Sequence, residues 1–187
     1  MTGKWLYLEF LIPVKDYLTT LKPKEFVFDW IFPISSAFLI YIFVLRAGQY
    51  SDETEEFIGN IINVLGVLFG FSIASITLLI TTSSESISRI KRTPAKNRRI
   101  SGKSISIYQL TIITFTFLLF LEVFGLLLNF GYSLAASLYE DFRINSWRIF
   151  YSIDCFLLIQ VIALNIRNTT NIYFVFLETS KANQPPN

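Results

Sequence analysis

Apolar positions along this chain come in long blocks rather than at a steady amphipathic period. Four blocks approach the roughly 20 residues needed to cross a bilayer as a helix: Val27–Leu45 (VFDWIFPISSAFLIYIFVL), Phe57–Thr81, Ile107–Gly131 and Arg148–Ile166. Pro33, near the start of the first block, suits a first helical turn or a kink. Ahead of these blocks, Val14, Tyr17, Leu18 and Leu21 recur at helical spacing, with Lys15, Asp16 and Lys22 elsewhere around the wheel. Residues 1–26 therefore read as an amphipathic segment, with Trp5, Tyr7, Tyr17 and Trp30 as interface anchors. Such a segment lies on the inner leaflet or packs against neighbouring subunits. The last helix is expected to run past the bilayer to about Leu177, followed by a disordered tail over 178–187 ending in KANQPPN.

Charge orients these spans. Lys and Arg divide between alternate sides of the four blocks as 13 against 3. By the positive-inside rule both termini and the 82–106 loop are cytoplasmic. The expected fold is an all-α integral membrane domain of four transmembrane helices over 27–177, in a bacterial inner membrane. Composition agrees: 52% of the 187 residues are hydrophobic, 17% aromatic and only 16% charged, where a soluble domain carries about 25% charged. With no His and one Cys, Cys155, the chain has no intrachain disulfide, no Cys/His metal site and no Ser–His or Cys–His catalytic pair. No phosphate-binding glycine fingerprint occurs. An enzyme is the least favoured class, and no cofactor is expected.

The second block has an unusual face. Gly59, Asn63, Gly66, Gly70, Ala74, Thr77 and Thr81 recur at intervals of three and four. Small residues permit close helix approach, as in the GxxxG pair Gly66/Gly70; the same stripe could instead line a wet path. Glu122 in the third block and Asp154 in the fourth are ionisable groups within spans, each costing about 2.5–3.5 kcal/mol at helix centre, so they should face protein or water. Counted from the span centres, Glu122, Asp154 and Asn63 fall in the outer half, and are expected to form one polar layer. In a symmetric homo-oligomer that layer would become carboxylate rings at the mouth of a cation pathway; alternatively the carboxyls hold the bundle together by hydrogen bonds. Thr111, Thr114, Glu122, Gly125 and Asn129 share a broad face of the third span.

Seven cations, Arg89, Lys91, Arg92, Lys96, Arg98, Arg99 and Lys103, crowd SRIKRTPAKNRRISGK without one acid. Thr93–Pro94 and Ser101–Gly102 break any long helix there. The run either rests on anionic membrane lipid or binds a nucleic-acid-like ligand or an acidic cytoplasmic partner. It contains no aromatic, so base stacking would have to come from Tyr108 or Tyr173.

GVLFGFSIASITLLI (66–80), the basic loop after it and the four-span plan resemble the small four-span membrane components of bacterial anti-phage defence systems, of the Hailong effector (HalB) type or the Kiwa membrane protein (KwaA) type. The first likeness implies an oligomeric channel controlled by a nucleic-acid-like ligand. The second implies a membrane sensor that positions a cytoplasmic DNA-binding partner. The leading expectation is a membrane-depolarising channel gated at the basic loop; a non-conducting sensor or scaffold is the alternative, and a small exporter a third.

Overall fold

The computed structural model describes residues 9–46, 52–83 and 85–182. After a short 3-10 turn, α1 (Ile12–Thr20) leads through Leu21 and Lys22 to α2 (Pro23–Phe26), a π-helical stretch over Val27–Ile31, and α3 (Phe32–Arg46). Then follow α4 (Asp52–Thr81), α5 (Glu85–Arg92), the strands β1 (Pro94–Ile100) and β2 (Lys103–Ser106), α6 (Ile107–Leu138) and α7 (Glu140–Ala182). Four helices are long and apolar enough to cross a membrane: Pro23–Val44, Glu56–Thr81, Ile107–Leu138 and Ser146–Tyr173. Each overlaps one of the four expected blocks. Helix α7 continues to Ala182, five residues into the segment expected to be a disordered tail; the rest of that tail, and the anchors Trp5 and Tyr7, lie outside the described residues.

The first span is continuous through Pro33, and the widened turn before the proline explains how. Proline has no N–H and clashes with the carbonyl four residues back, here that of Asp29. The Phe32 N–H reaches instead to the Val27 carbonyl, five residues back, a π-type insertion that relieves such a conflict. The Asp29 carbonyl, to which Pro33 has no N–H to donate, accepts from the Gln160 side-chain amide of α7 at 3.3 Å.

Helices α6 and α7 form a central pair, with α4 leaning on α6 and α3 on α7. About 44% of the apolar window of each central helix is buried, against 17% for the first and second spans, so the outer two present most of their surface outward. Leu65 of α4, Phe117, Leu118 and Leu121 of α6, and Val161 and Leu164 of α7 make the core. Helix α1 packs on α6 and β1. Its Tyr17, read from sequence as an interface anchor, is 1% exposed and stacks on Phe117 with ring centroids 3.8 Å apart.

Between the second and third spans the basic loop is a folded cap. Ile87 and Ile90 of α5 are buried in the core, leaving Arg89, Lys91 and Arg92 exposed. The next residues form an antiparallel hairpin with Ile100 opposite Lys103. Ser101 and Gly102 both have positive φ, at 50° and 79°, as the mirror-image hairpin turn requires. Asn97, at φ 59°, lies in the bulged part of β1. Ser106 ends the hairpin and starts α6: its hydroxyl accepts from the Gln109 N–H at 3.2 Å, and the Gln109 side chain accepts from the Ser106 N–H at 2.9 Å, a reciprocal cap.

Candidate functional site

Among the described residues, most of the small stripe of α4 faces away from the other elements. Asn63, Gly66, Gly70, Ala74 and Thr77 are exposed. Apart from its chain neighbours and its own helix backbone, a Cβ placed at Gly59, Gly66 or Gly70 would find no heavy atom within 4 Å. The bundle-facing side is the bulkier one: Ile58, Ile61, Leu65, Ser72 and Leu79 are buried. Close helix approach within the chain depends instead on Gly125 of α6, where an added Cβ would lie 3.1 Å from Leu65 Cδ1. The broad face of α6 described above is buried throughout, from Thr111 to Asn129.

The expected layer of Asn63, Glu122 and Asp154 separates into two buried clusters and one outward amide. Glu122 is 0% exposed, and its Oε1 accepts from the Ser72 hydroxyl at 2.9 Å and from the Asn165 amide at 3.2 Å. Asp154 Oδ1 accepts from the Asn129 amide at 2.9 Å. Both amides also donate to the carbonyl four residues back in their own helix, Val161 for Asn165 and Gly125 for Asn129. Each central helix thus supplies one acid and one amide. Glu122 and Asn129 are two turns apart on α6, so the clusters lie about 10 Å apart along it. They do not share one depth because the two central helices extend by different lengths beyond their apolar blocks, so the block centres do not lie opposite each other. Both clusters join helices of the same chain; neither carboxyl faces outward.

A third polar cluster, built around Asp29, was not anticipated. Asp29 is 0% exposed, pairs with Arg167 of α7, and accepts from the Tyr17 hydroxyl at 2.6 Å. The Arg167 guanidinium also sits 5.7 Å from the Tyr17 ring centre, a cation–π distance. Burial, more than the neighbouring Asp29 carboxylate, pushes the Tyr17 pKa well above its ordinary value. The phenol therefore stays protonated and donates. One signal was available: an aspartate inside an apolar block, four residues before a proline.

Beside this cluster, at the hairpin end of the bundle, is a cavity of about 280 Å³ between α1, α2, β1, the start of α6 and Arg167 and Asn171 of α7. Lys22, Lys96, Arg98 and Arg167 line it with Glu25. Arg98 alone of the seven loop cations is buried, at 6% exposure, and it pairs with Glu25. Arg89, Lys91, Arg92, Lys96, Arg99 and Lys103 are exposed. Lys91 lies over the Tyr108 ring at 4.8 Å. The seven cations are not gathered at one site: Arg98 and Lys96 line the cavity, whereas Arg89 and Arg92 border a separate groove with Glu85, Thr93 and Pro94. Among the described residues no three Cys, Asp or Glu side chains converge in a way that could hold a metal ion. Cys155 is a free, buried thiol.

No family model, curated protein or solved structure matches the chain.

Proposed function

We propose that this chain is a subunit of an oligomeric membrane channel, acting as a depolarising effector whose state is set by an anionic ligand at the hairpin end. The observation that carries the reading is the outward face of α4. Asn63 lies inside the Glu56–Thr81 span and is exposed. A polar group left without partners in hydrocarbon costs several kcal/mol. A second copy packed on the Gly66–Gly70 face relieves that cost, as does a water-filled path along Asn63, Ala74 and Thr77. Homo-oligomerisation supplies both, with some α4 faces packed and others wet. This assigns the pathway to α4 rather than to the carboxyls, which are occupied inside each subunit.

The 13-to-3 distribution of Lys and Arg supports placing the hairpin and both termini in the cytoplasm. The likeness of residues 66–80 and the following loop to anti-phage membrane components supports a defence role in the bacterial inner membrane. Ligand control requires that the anion bind open and closed states unequally. The cavity walls belong to α1, α2, β1, α6 and α7, and α4 packs on α6 at Gly125. A ligand that moves α6 relative to α7 therefore reaches α4 through that contact.

A non-conducting sensor or scaffold is the second reading, favoured by the internal hydrogen bonding of Glu122 and Asp154. Membrane potential, followed with a voltage-sensitive dye after induced expression, separates the two. The channel predicts depolarisation by the wild type, its loss in Gly70→Leu, and its retention in Glu122→Gln/Asp154→Asn. An unchanged potential with the wild type assigns the scaffold. Loss in the double variant with Gly70→Leu still active returns the pathway to the carboxyls.

A further inference from the structure

We propose that the cavity at the hairpin end is a binding site for a single phosphate monoester group. The proposal rests on the reading of an anion-responsive end of the molecule, but it does not require conduction.

The charge count points to this chemistry. Four cations line the cavity, Lys22, Lys96, Arg98 and Arg167, with one acid, Glu25; Asp29 pairs with Arg167 from behind. Two positive charges remain uncompensated. A phosphate monoester at neutral pH carries about −1.5 to −2, whereas a carboxylate or a phosphodiester carries a single charge and would leave one cation unmatched.

The donors point the same way. Arg98 is 6% exposed; one of its terminal nitrogens is on Glu25, and the other, Nη1, is buried with no hydrogen-bond partner. Arg167 Nε is likewise buried and unpartnered. Buried charged donors without acceptors are rare and costly. Here two guanidiniums from distant parts of the chain line one cavity, each with a spare N–H. The planar fork of arginine suits phosphate oxygens. The Thr111 and Thr114 hydroxyls in the wall donate to carbonyls of their own helix, which leaves the four cations and the exposed Asn171 amide as side-chain donors. At about 280 Å³ the cavity is at the small end of ligand pockets. It has room for a phosphate and a short body, not for a stretch of nucleic acid. Its position at the ends of the spans opens it to a soluble phosphate ester from the aqueous side and to a monoester lipid headgroup from the leaflet.

The test uses the purified full chain in detergent and in nanodiscs, with the thermal unfolding midpoint and direct titration as readouts. Glycerol 3-phosphate is the soluble probe, with glycerol as control. Phosphatidylcholine nanodiscs carrying phosphatidic acid are the lipid probe, with phosphatidylglycerol at equal total charge as control. A saturable stabilisation by glycerol 3-phosphate identifies a soluble ligand. Stabilisation by phosphatidic acid above phosphatidylglycerol identifies a lipid. Lys22 and Lys96 are both exposed, so Lys22→Gln/Lys96→Gln should leave the unliganded midpoint unchanged while weakening binding about tenfold or more. The proposal is overturned if glycerol 3-phosphate does not bind saturably and phosphatidic acid stabilises no more than phosphatidylglycerol, or if the double variant binds like the wild type. Depolarisation without phosphate binding would remove this site and keep the channel; phosphate binding without depolarisation would do the reverse.

Discussion

Replacing Arg167 by Met tests whether the Asp29 cluster ties the N-terminal segment to the bundle. Asp29 is fully buried, and its partners come from α1 and α7: the Tyr17 hydroxyl and the Arg167 guanidinium on its carboxylate, and the Gln160 amide on its main-chain carbonyl. Methionine keeps much of the arginine stem and removes the charge. The variant leaves a buried carboxylate with only the phenol to meet it, and breaking a buried pair in this way costs about 3–5 kcal/mol. Asp29→Asn/Arg167→Met removes both charges yet keeps a side-chain acceptor for Tyr17. Its cost should fall to about 1–2 kcal/mol, the scale of a lost hydrogen bond and imperfect packing. Asp29→Asn alone, which leaves the guanidinium without its carboxylate, should cost about 1 kcal/mol or more, so the double-mutant cycle should show a coupling of at least about 2 kcal/mol, roughly a factor of 30 in the unfolding equilibrium. Titration with a denaturing detergent in mixed micelles, followed by tryptophan fluorescence, reads it, since Trp30 packs near Phe117 at the same place. Effects that add within about 0.5 kcal/mol would mean that the pair does not act as a unit, and the reasoning would be wrong.

The other expectations concern the membrane interior. Glu122→Leu forfeits two interhelical hydrogen bonds, each worth about 0.6 and at most about 1.7 kcal/mol in a membrane. It should destabilise by about 1–3 kcal/mol in the same titration, while Glu122→Gln, which keeps the Oε1 acceptor, should cost under about 1 kcal/mol; equal costs would show that charge, not acceptance, matters there. Gly125→Leu should lower stability by about 1–3 kcal/mol through overpacking against Leu65. Gly70→Leu should leave the unfolding of the single chain nearly unchanged but shift its oligomer distribution toward smaller species in native mass spectrometry, and an unshifted distribution would remove α4 as the contact between copies.

Four spans are legible in the sequence because spanning depends on a local quantity, the length of an apolar run. The Gly125 face of α6 was also visible, since small and polar residues at helical spacing stand out against leucine and phenylalanine. Which face of α4 turns inward was not visible. In water the apolar side of a helix is the buried side, but in lipid both sides are apolar and hydrophobicity does not choose between them. Packing chose the Leu65–Ser72–Leu79 side, because Leu65 fits over Gly125 and Ser72 reaches Glu122. The hairpin escaped notice because KNRRISGKSIS has no strong apolar alternation; its register is set by the Ser101–Gly102 turn and by burial of Ala95, Arg98 and Ile105. The sequence by itself determined the number of apolar spans, the unequal share of Lys and Arg on their alternate sides and the absence of histidine, all of which follow from composition and order. Only the tertiary structure decided that Arg98 leaves its six neighbours to meet Glu25, and that Arg167 meets Asp29 at a sequence separation of 138. Such meetings depend on how helices cross, and no local pattern encodes that.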